Sequence, residues 1–230
     1  MIKVLIATPS YDGKIDVWYA NSLAQTILLG IQNNIFFQAI YMSYDALVQR
    51  ARNDLVGIAI ENDYDYILWI DADMEWDPQK ALELIQSDYD VIGLPVIKKS
   101  PYQELYNIKI KPEDLVQDEN GLIKVDSIGT GFLKMSRPAF QYLWDNSEPY
   151  VHNEQDRRWI FDVKIQDGDI ISEDVLVCQK LREGGFDIYI DPSSTCNHIG
   201  TMKFTGNFEK FMKRVQDSLI TKEEVITTKE

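Results

Sequence analysis

Tyr66-Ile67-Leu68-Trp69-Ile70-Asp71-Ala72-Asp73-Met74-Glu75-Trp76-Asp77 is the stretch on which the reading of the fold turns. Its first five residues form a short apolar run without a 3.6-residue period, which reads as a buried strand of a parallel sheet. The run ends abruptly in carboxylates. Open α/β sheets bind ligands at the carboxyl ends of their strands. Residues i and i+2 of an extended segment point the same way, so Asp71 and Asp73 are expected to share one cation. Aspartate fills 23 of 230 positions, and Asp-x-Asp recurs at Asp63/Asp65, Asp88/Asp90 and Asp167/Asp169. Only the Asp71 copy directly follows a run that looks like a central strand.

Working outward from that run, Ile2 to Ala7 reads as a first strand closed by Thr8-Pro9-Ser10-Tyr11-Asp12-Gly13. Asp16 to Gln32 has helical apolar spacing at Val17, Ala20, Leu23, Ala24, Ile27, Leu28 and Ile31. Asn33-Asn34 breaks it. Ile35 to Met42 is a second strand and Tyr44 to Glu61 a second helix. The resulting β-α-β-α-β order predicts a parallel sheet with right-handed crossovers.

Beyond the acids, Pro78 opens a helix ending near Gln86, with Asp77 as its natural N-cap. Asp90 to Ile97 reads as a strand, and Lys98 to Asn120 as an excursion with a short hairpin ending in Asn120-Gly121. Leu122 to Ser127 returns as a strand leading into Gly129-Thr130-Gly131-Phe132-Leu133, followed by a helix from Pro138 to Trp144. Residues 145 to 171 are loop-rich, with an aromatic strand expected at Trp159 to Val163. A helix from Ser172 to Glu183 stops at Gly184-Gly185. Phe186 to Ile190 is the last strand, Phe208 to Leu219 an amphipathic helix, and 221–230 a polar tail. The prediction is one α/β domain, a Rossmann-like, mostly parallel sheet flanked by helices.

With 45% apolar residues, 230 positions suffice to bury a full core. No apolar run reaches the length of a membrane span and no signal peptide is evident, so a cytoplasmic protein is expected. Cys178 and Cys196 are expected to be free thiols. The formal charge of −14 argues against non-specific binding to nucleic acid. An acidic chain that takes an anionic ligand needs a metal between them, and the Asp pair offers a place for one.

Several motifs in order carry a family resemblance: Thr8-Pro9 after the first strand, Arg50-Ala51-Arg52-Asn53 on the helix before the Asp strand, and Trp69-Ile70-Asp71-Ala72-Asp73. Gly129-Thr130-Gly131-Phe132, the Ser172-Glu173-Asp174 helix start and a late His198 complete them. In this the chain resembles a small GT-A fold glycosyltransferase, of the type found in glycosyltransferase family 2 and related phage enzymes. The resemblance spans 1–220, with a nucleotide-binding half at 1–97 and an acceptor-binding half at 98–220. It implies transfer of a sugar from a nucleotide diphosphate, expected to be a UDP-sugar, to a hydroxyl on a glycan, a protein or a modified DNA base.

A nucleoside diphosphate leaves easily only when its charge is neutralised, and a bridging divalent cation does this as a Lewis acid. Asp71 and Asp73 are the expected oxygen ligands and His198 a nitrogen ligand. That mixed set suits Mn²⁺ better than Mg²⁺. Thr8, Pro9 and Tyr11 lie where the family contacts the nucleoside; Tyr11 either stacks on the base or packs as a loop aromatic. Arg52, Asn53 and Ala72 are further donor-site candidates. An Arg50–Asp54 pair at i,i+4 is the structural alternative for that helix. Lys203 is the candidate to close over the diphosphate. The family places its acceptor base at the Glu173-Asp174 helix start, which points to Asp174 and to inversion. Equally, Ser172 caps this helix and Glu173 decorates its dipole. The late histidine occurs in retaining enzymes too, which leaves the stereochemistry open. Lys98, Lys99, Lys109 and Lys111 mark the expected acceptor side.

Other readings meet specific obstacles. A sugar nucleotidylyltransferase needs a glycine-rich basic loop where Ala7-Thr8-Pro9-Ser10-Tyr11 stands. A haloacid-dehalogenase phosphatase carries its Asp pair after the first strand. A calcium loop needs Gly where Trp76 stands. A non-catalytic nucleotide-binding protein on the same scaffold has no need of the Asp pair, His198 and Asp174 together.

Overall fold

A computed structural model of the chain describes residues 1–227, with side chains through residue 218. The first third runs β1 (Ile2–Ser10), α1 (Val17–Gln32), β2 (Ile35–Ser43), α2 (Val48–Glu61) and β3 (Tyr66–Ile70). Then come β4 (Met74–Glu75), α3 (Pro78–Gln86), β5 (Val91–Gly93), β6 (Ile108–Lys109), β7 (Ile123–Val125), β8 (Ser127–Ile128) and β9 (Phe132–Ser136). The last part holds α4 (Arg137–Asp145), β10 (Pro149–His152), β11 (Gln155–Arg158), β12 (Lys164–Gln166), β13 (Asp169–Ile171) and α5 (Glu173–Glu183). It ends with β14 (Ile188–Ile190), β15 (Asn197–Ile199), β16 (Lys203–Phe204) and α6 (Phe208–Thr227).

Seven strands form the central sheet in the order β2-β1-β3-β9-β5-β14-β7. Strand β1 pairs in parallel with β2 and β3, as the β-α-β-α-β pattern predicts. Strand β9 is inserted antiparallel between β3 and β5, and β7 lies antiparallel at the edge. The other five strands share one direction. Successive side chains of β3 serve opposite faces: Ile67 and Trp69 enter one core, and Leu68 and Ile70 the other. The first core packs residues of α2, α4 and α5, including Leu55, Phe140 and Leu181; the second takes Tyr19 from α1 and Leu82 from α3. This is a single mixed α/β domain.

Local chemistry fixes the helix ends. Asp16 Oδ1 accepts from Trp18 N at 2.9 Å and Asp77 Oδ1 from Gln79 N at 2.9 Å, each satisfying a first-turn donor. Pro78 occupies the first helical position of α3. Gly185, at φ +84°, ends α5 in the left-handed region.

Several expectations are corrected. Trp159 to Val163 is not a strand. Its Phe161 packs edge-on against Trp69 at 5.1 Å, so Ile160 and Phe161 are buried by packing on the sheet and not by strand pairing. The strands of that region are instead two hairpins, β10–β11 and β12–β13. Each turns through two positive-φ residues, Asn153-Glu154 and Asp167-Gly168. The strand expected over Asp90 to Ile97 stops at Gly93, ahead of Pro95, which has no N–H to donate; Val96 and Ile97 make isolated bridges. Helix α2 begins at Val48, not Tyr44, which sits at φ +63°. The hairpin of the 98–120 excursion is replaced by a pairing of β6 with β8. Helix α6 runs on to Thr227, across most of the expected tail; residues 228–230 lie outside the described ones. Both cysteines are free and buried. Among the described residues no helix is long and apolar enough to cross a membrane.

Candidate active site

The Asp-x-Asp segment is a turn rather than an extended strand end. Met74 N donates to Asp71 O at 3.1 Å, closing a four-residue turn between β3 and β4. The two carboxylates therefore diverge. Asp71 Oδ1 accepts from Arg52 Nη2 at 3.1 Å, whereas Asp73 Oδ2 lies 2.5 Å from Lys99 Nζ and 3.4 Å from His198 Nε2. Burial raises the Asp73 carboxyl, but the hydrogen bonds and charges of His198 and Lys99 outweigh it and hold the group below its ordinary value.

His198 reaches this point through strand register. Strand β15 pairs antiparallel with β4, setting His198 opposite Met74, and Ile199 N donates to Asp73 O at 2.8 Å. The imidazole is fixed from behind: Nδ1 donates to Ile97 O at 3.0 Å, which leaves Nε2 as the nitrogen facing Asp73. Asn197 supports the same strand by donating to Glu75 Oε2 at 2.7 Å.

A cleft of about 560 Å³ opens here, at the carboxyl ends of β1 and β3. Pro9, Tyr11, Arg52, Asp71, Ala72, Asp73 and His198 all line it, with Met42, Val48 and Ala51 as an apolar wall. Tyr11 is 71% exposed, free to meet a planar ligand. Arg52 is 5% exposed and bridges two elements: Nη2 holds Asp71, and Nη1 donates to Glu173 at the start of α5. Among the described residues its buried Nε has no partner.

Other expected residues serve the scaffold. Thr8 is fully buried, its hydroxyl 2.6 Å from that of Tyr19. Asn53 is buried and brackets the loop before β12. Its Oδ1 accepts from Ile160 N at 3.2 Å and Phe161 N at 2.8 Å, and its Nδ2 donates to Phe161 O at 3.2 Å. Asn53→Ala takes the side-chain partner from two buried backbone groups, Phe161 N and Phe161 O, while Ile160 N keeps its bond to Arg158 O at 2.9 Å, so a loss of about 2–3 kcal/mol is expected by denaturant unfolding. A loss under about 0.5 kcal/mol would remove the bracket role. The Arg50–Asp54 pair does not form. Arg50 pairs with Asp45 at 2.7 Å, and Asp54 takes Arg157 at 3.2 Å and His152 at 2.8 Å. Lys203 is tied to Glu75 at 2.5 Å, with its ammonium over the Trp18 ring at 4.3 Å.

At the start of α5, Ser172 makes no capping hydrogen bond; its hydroxyl donates to Asp174 Oδ1. Asp174 Oδ1 also accepts from Val175 N at 2.8 Å, and Oδ2 from Asn107 Nδ2 at 3.3 Å. Gly129 makes room for this: a Cβ there would fall 1.9 Å from Asn107 Nδ2. Neither Glu173 nor Asp174 lines the cleft, and Glu173 connects to it through Arg52. Asn107 and the Lys99–Asp73 contact had no sequence signal, because both depend on where the 98–107 loop returns.

Among the described residues no three His, Cys, Asp or Glu side chains gather as a metal-binding group. Two donors of the expected set do converge, Asp73 Oδ2 and His198 Nε2, and the Lys99 ammonium beside them marks the space as one that accepts a cation. A carboxylate and a neutral imidazole fit a borderline divalent metal, while Asp71 is turned to Arg52.

The family model Anp1 matches residues 44–116, which span α2, β3, the Asp turn, α3 and β5. The crystal structure of A197 from STIV is similar at 17% identity and a TM-score of 0.50, covering 87% of this chain and 86% of that one. A glycosyltransferase involved in the glycosylation of the major capsid of PBCV-1 aligns at 13% identity and a TM-score of 0.34, over 61% of this chain and 63% of that one. No curated protein matches. The strand order and the overlap with A197 give the chain a mixed α/β fold on a mostly parallel seven-stranded sheet, consistent with the GT-A-like architecture expected from the sequence.

Proposed function

We propose that the protein is a metal-dependent glycosyltransferase that moves a sugar from a nucleotide diphosphate, with UDP as the favoured nucleotide, to a hydroxyl acceptor. One observation carries this reading: Asp73 and His198 converge on the rim of a cleft at the carboxyl ends of β1 and β3, where α/β sheets bind nucleotides. The Anp1 family, one of GT-A-like mannosyltransferases, supports it, since the matched segment includes Arg52 and the Asp turn.

In this assignment Asp73 and His198 would hold Mn²⁺ or Mg²⁺, which would supply charge neutralisation for the leaving diphosphate, while Asp71 stays on Arg52. Tyr11 and Pro9 receive the nucleoside. Arg52, which lines the cleft, adds fixed positive charge along it. Asp174 takes the proton of the acceptor hydroxyl, and attack from its side inverts the anomeric centre.

Calorimetry with UDP and with GDP, each with and without Mn²⁺, tests the donor assignment. Binding roughly tenfold tighter or more with the metal is expected, given the several kcal/mol of charge stabilisation such an ion provides. Binding of neither nucleotide, or binding indifferent to metal, overturns it. Incubating the protein with UDP- and GDP-linked sugars and Mn²⁺ then identifies the donor through its slow hydrolysis.

A further inference from the structure

Two side chains meet a single oxygen of Asp73. Lys99 Nζ stands 2.5 Å from Oδ2, and His198 Nε2 stands 3.4 Å from the same atom. Both depend on one segment: Ile97 O anchors the imidazole, and Lys99 follows two residues later. The lysine stem lies against Gly200, where a Cβ would come within 3.3 Å of Lys99 Cδ. The loop is closed at its base, with Lys98 N donating to Leu105 O at 2.7 Å. Lys99 is thus aimed by backbone at an atom assigned to the donor site, although its sequence context suggested the acceptor side.

We propose that Lys99 is an exchangeable internal cation of the donor site. Its ammonium neutralises Asp73 in the free protein, yields that oxygen when a divalent cation enters with the nucleotide diphosphate, and then meets the diphosphate itself. The inference rests on the metal-dependent reading above.

The chemistry of the two partners separates their roles. As a metal ligand the imidazole offers the Nε2 lone pair, so it stays at the site when the cation enters. An ammonium has no lone pair, and two cations cannot share Oδ2 at contact distance without strong repulsion. Lys99 must leave, and it does so at small cost. The pair is 38% and 39% exposed, a setting in which ion pairs contribute little net stability. The released ammonium stays tethered within a side chain's length of Asp73, where the negative diphosphate replaces the carboxylate as its partner. Asp73 has a counter-charge in both states.

The test is Mn²⁺ titration of the full chain without nucleotide, followed by the electron-spin signal of free Mn²⁺. The parent is compared with Lys99→Met, which keeps the stem and removes the charge, and with Asp73→Asn. Lys99→Met is expected to bind Mn²⁺ about fivefold tighter, the scale of an exposed ion pair that no longer competes. At saturating Mn²⁺ it is expected to bind UDP about fivefold more weakly, for want of the ammonium. Asp73→Asn is expected to lose Mn²⁺ binding. If Asp73→Asn loses the metal while Lys99→Met matches the parent, the exchange fails and the metal site stands. If Asp73→Asn binds Mn²⁺ as the parent does, or no variant binds it, the metal reading fails and the exchange with it.

Discussion

Arg52→Met is expected to lower the thermal unfolding midpoint by about 6–12 °C, the equivalent of roughly 3 kcal/mol in a domain of this size. The side chain is 6% exposed and touches three parts of the fold: Asp71 after β3, Glu173 at the start of α5, and the Phe161 ring, 5.7 Å from its guanidinium. Removing it leaves the Asp71 and Glu173 carboxylates without the guanidinium that pairs with both. One of them, Glu173, is only 18% exposed, so water recovers little of the loss. Arg52→Lys is expected to recover less than half, because a single ammonium cannot span both carboxylates as a planar fork does. Circular dichroism melts of the three proteins decide it. A midpoint within about 2 °C of the parent in Arg52→Met would show that the bridge contributes nothing to stability.

The same bridge illustrates what the sequence disclosed. Strand β3, the acids that follow it and the Pro78 helix were legible because each is written locally: a five-residue apolar run, carboxylates, a proline at the first helical position. The parallel pairing of β1 with β2 and β3 followed from the β-α-β-α-β alternation. The insertion of β9 between β3 and β5 was not legible, since strand order in a sheet is settled by non-local pairing. Trp159 to Val163 misled for a related reason, because an apolar run looks the same whether it pairs with a strand or packs on Trp69. At the site, Asp73, His198, Tyr11 and Arg52 were named from sequence and share one cleft. Thr8 and Asn53 are polar residues held by the core, and no local pattern separates a buried bracket from a ligand contact. The direction of Asp71 depended on the turn at 71–74, which the extended reading of that segment lacked.

Asp174→Asn is expected to leave UDP and Mn²⁺ binding within about twofold of the parent and to reduce sugar transfer by roughly 10²–10⁴, the range for loss of a general base. The substitution is nearly isosteric, and the amide oxygen still accepts from Val175 N as Oδ1 does, at 2.8 Å. It removes the negative charge and the capacity to take a proton, and it also takes the acceptor at the Oδ2 position away from Asn107 Nδ2. Between the two neighbouring carboxylates the geometry favours this one. Protonating Glu173 would break its ion pair with Arg52, and with it the link to Asp71. Among the described residues Asp174 meets neutral donors: the Ser172 hydroxyl, the Val175 amide and Asn107 Nδ2. Asn107 is then a positioning residue. Asn107→Ala is expected to cut transfer about tenfold, leaving donor hydrolysis unchanged, because it loosens the orientation of Oδ2 without removing the base. The transfer rates and UDP affinities of both variants separate the roles. Full transfer by Asp174→Asn would move the base to another group, with Glu173 next in line, and a Glu173→Gln variant that binds UDP but transfers no sugar would establish it there.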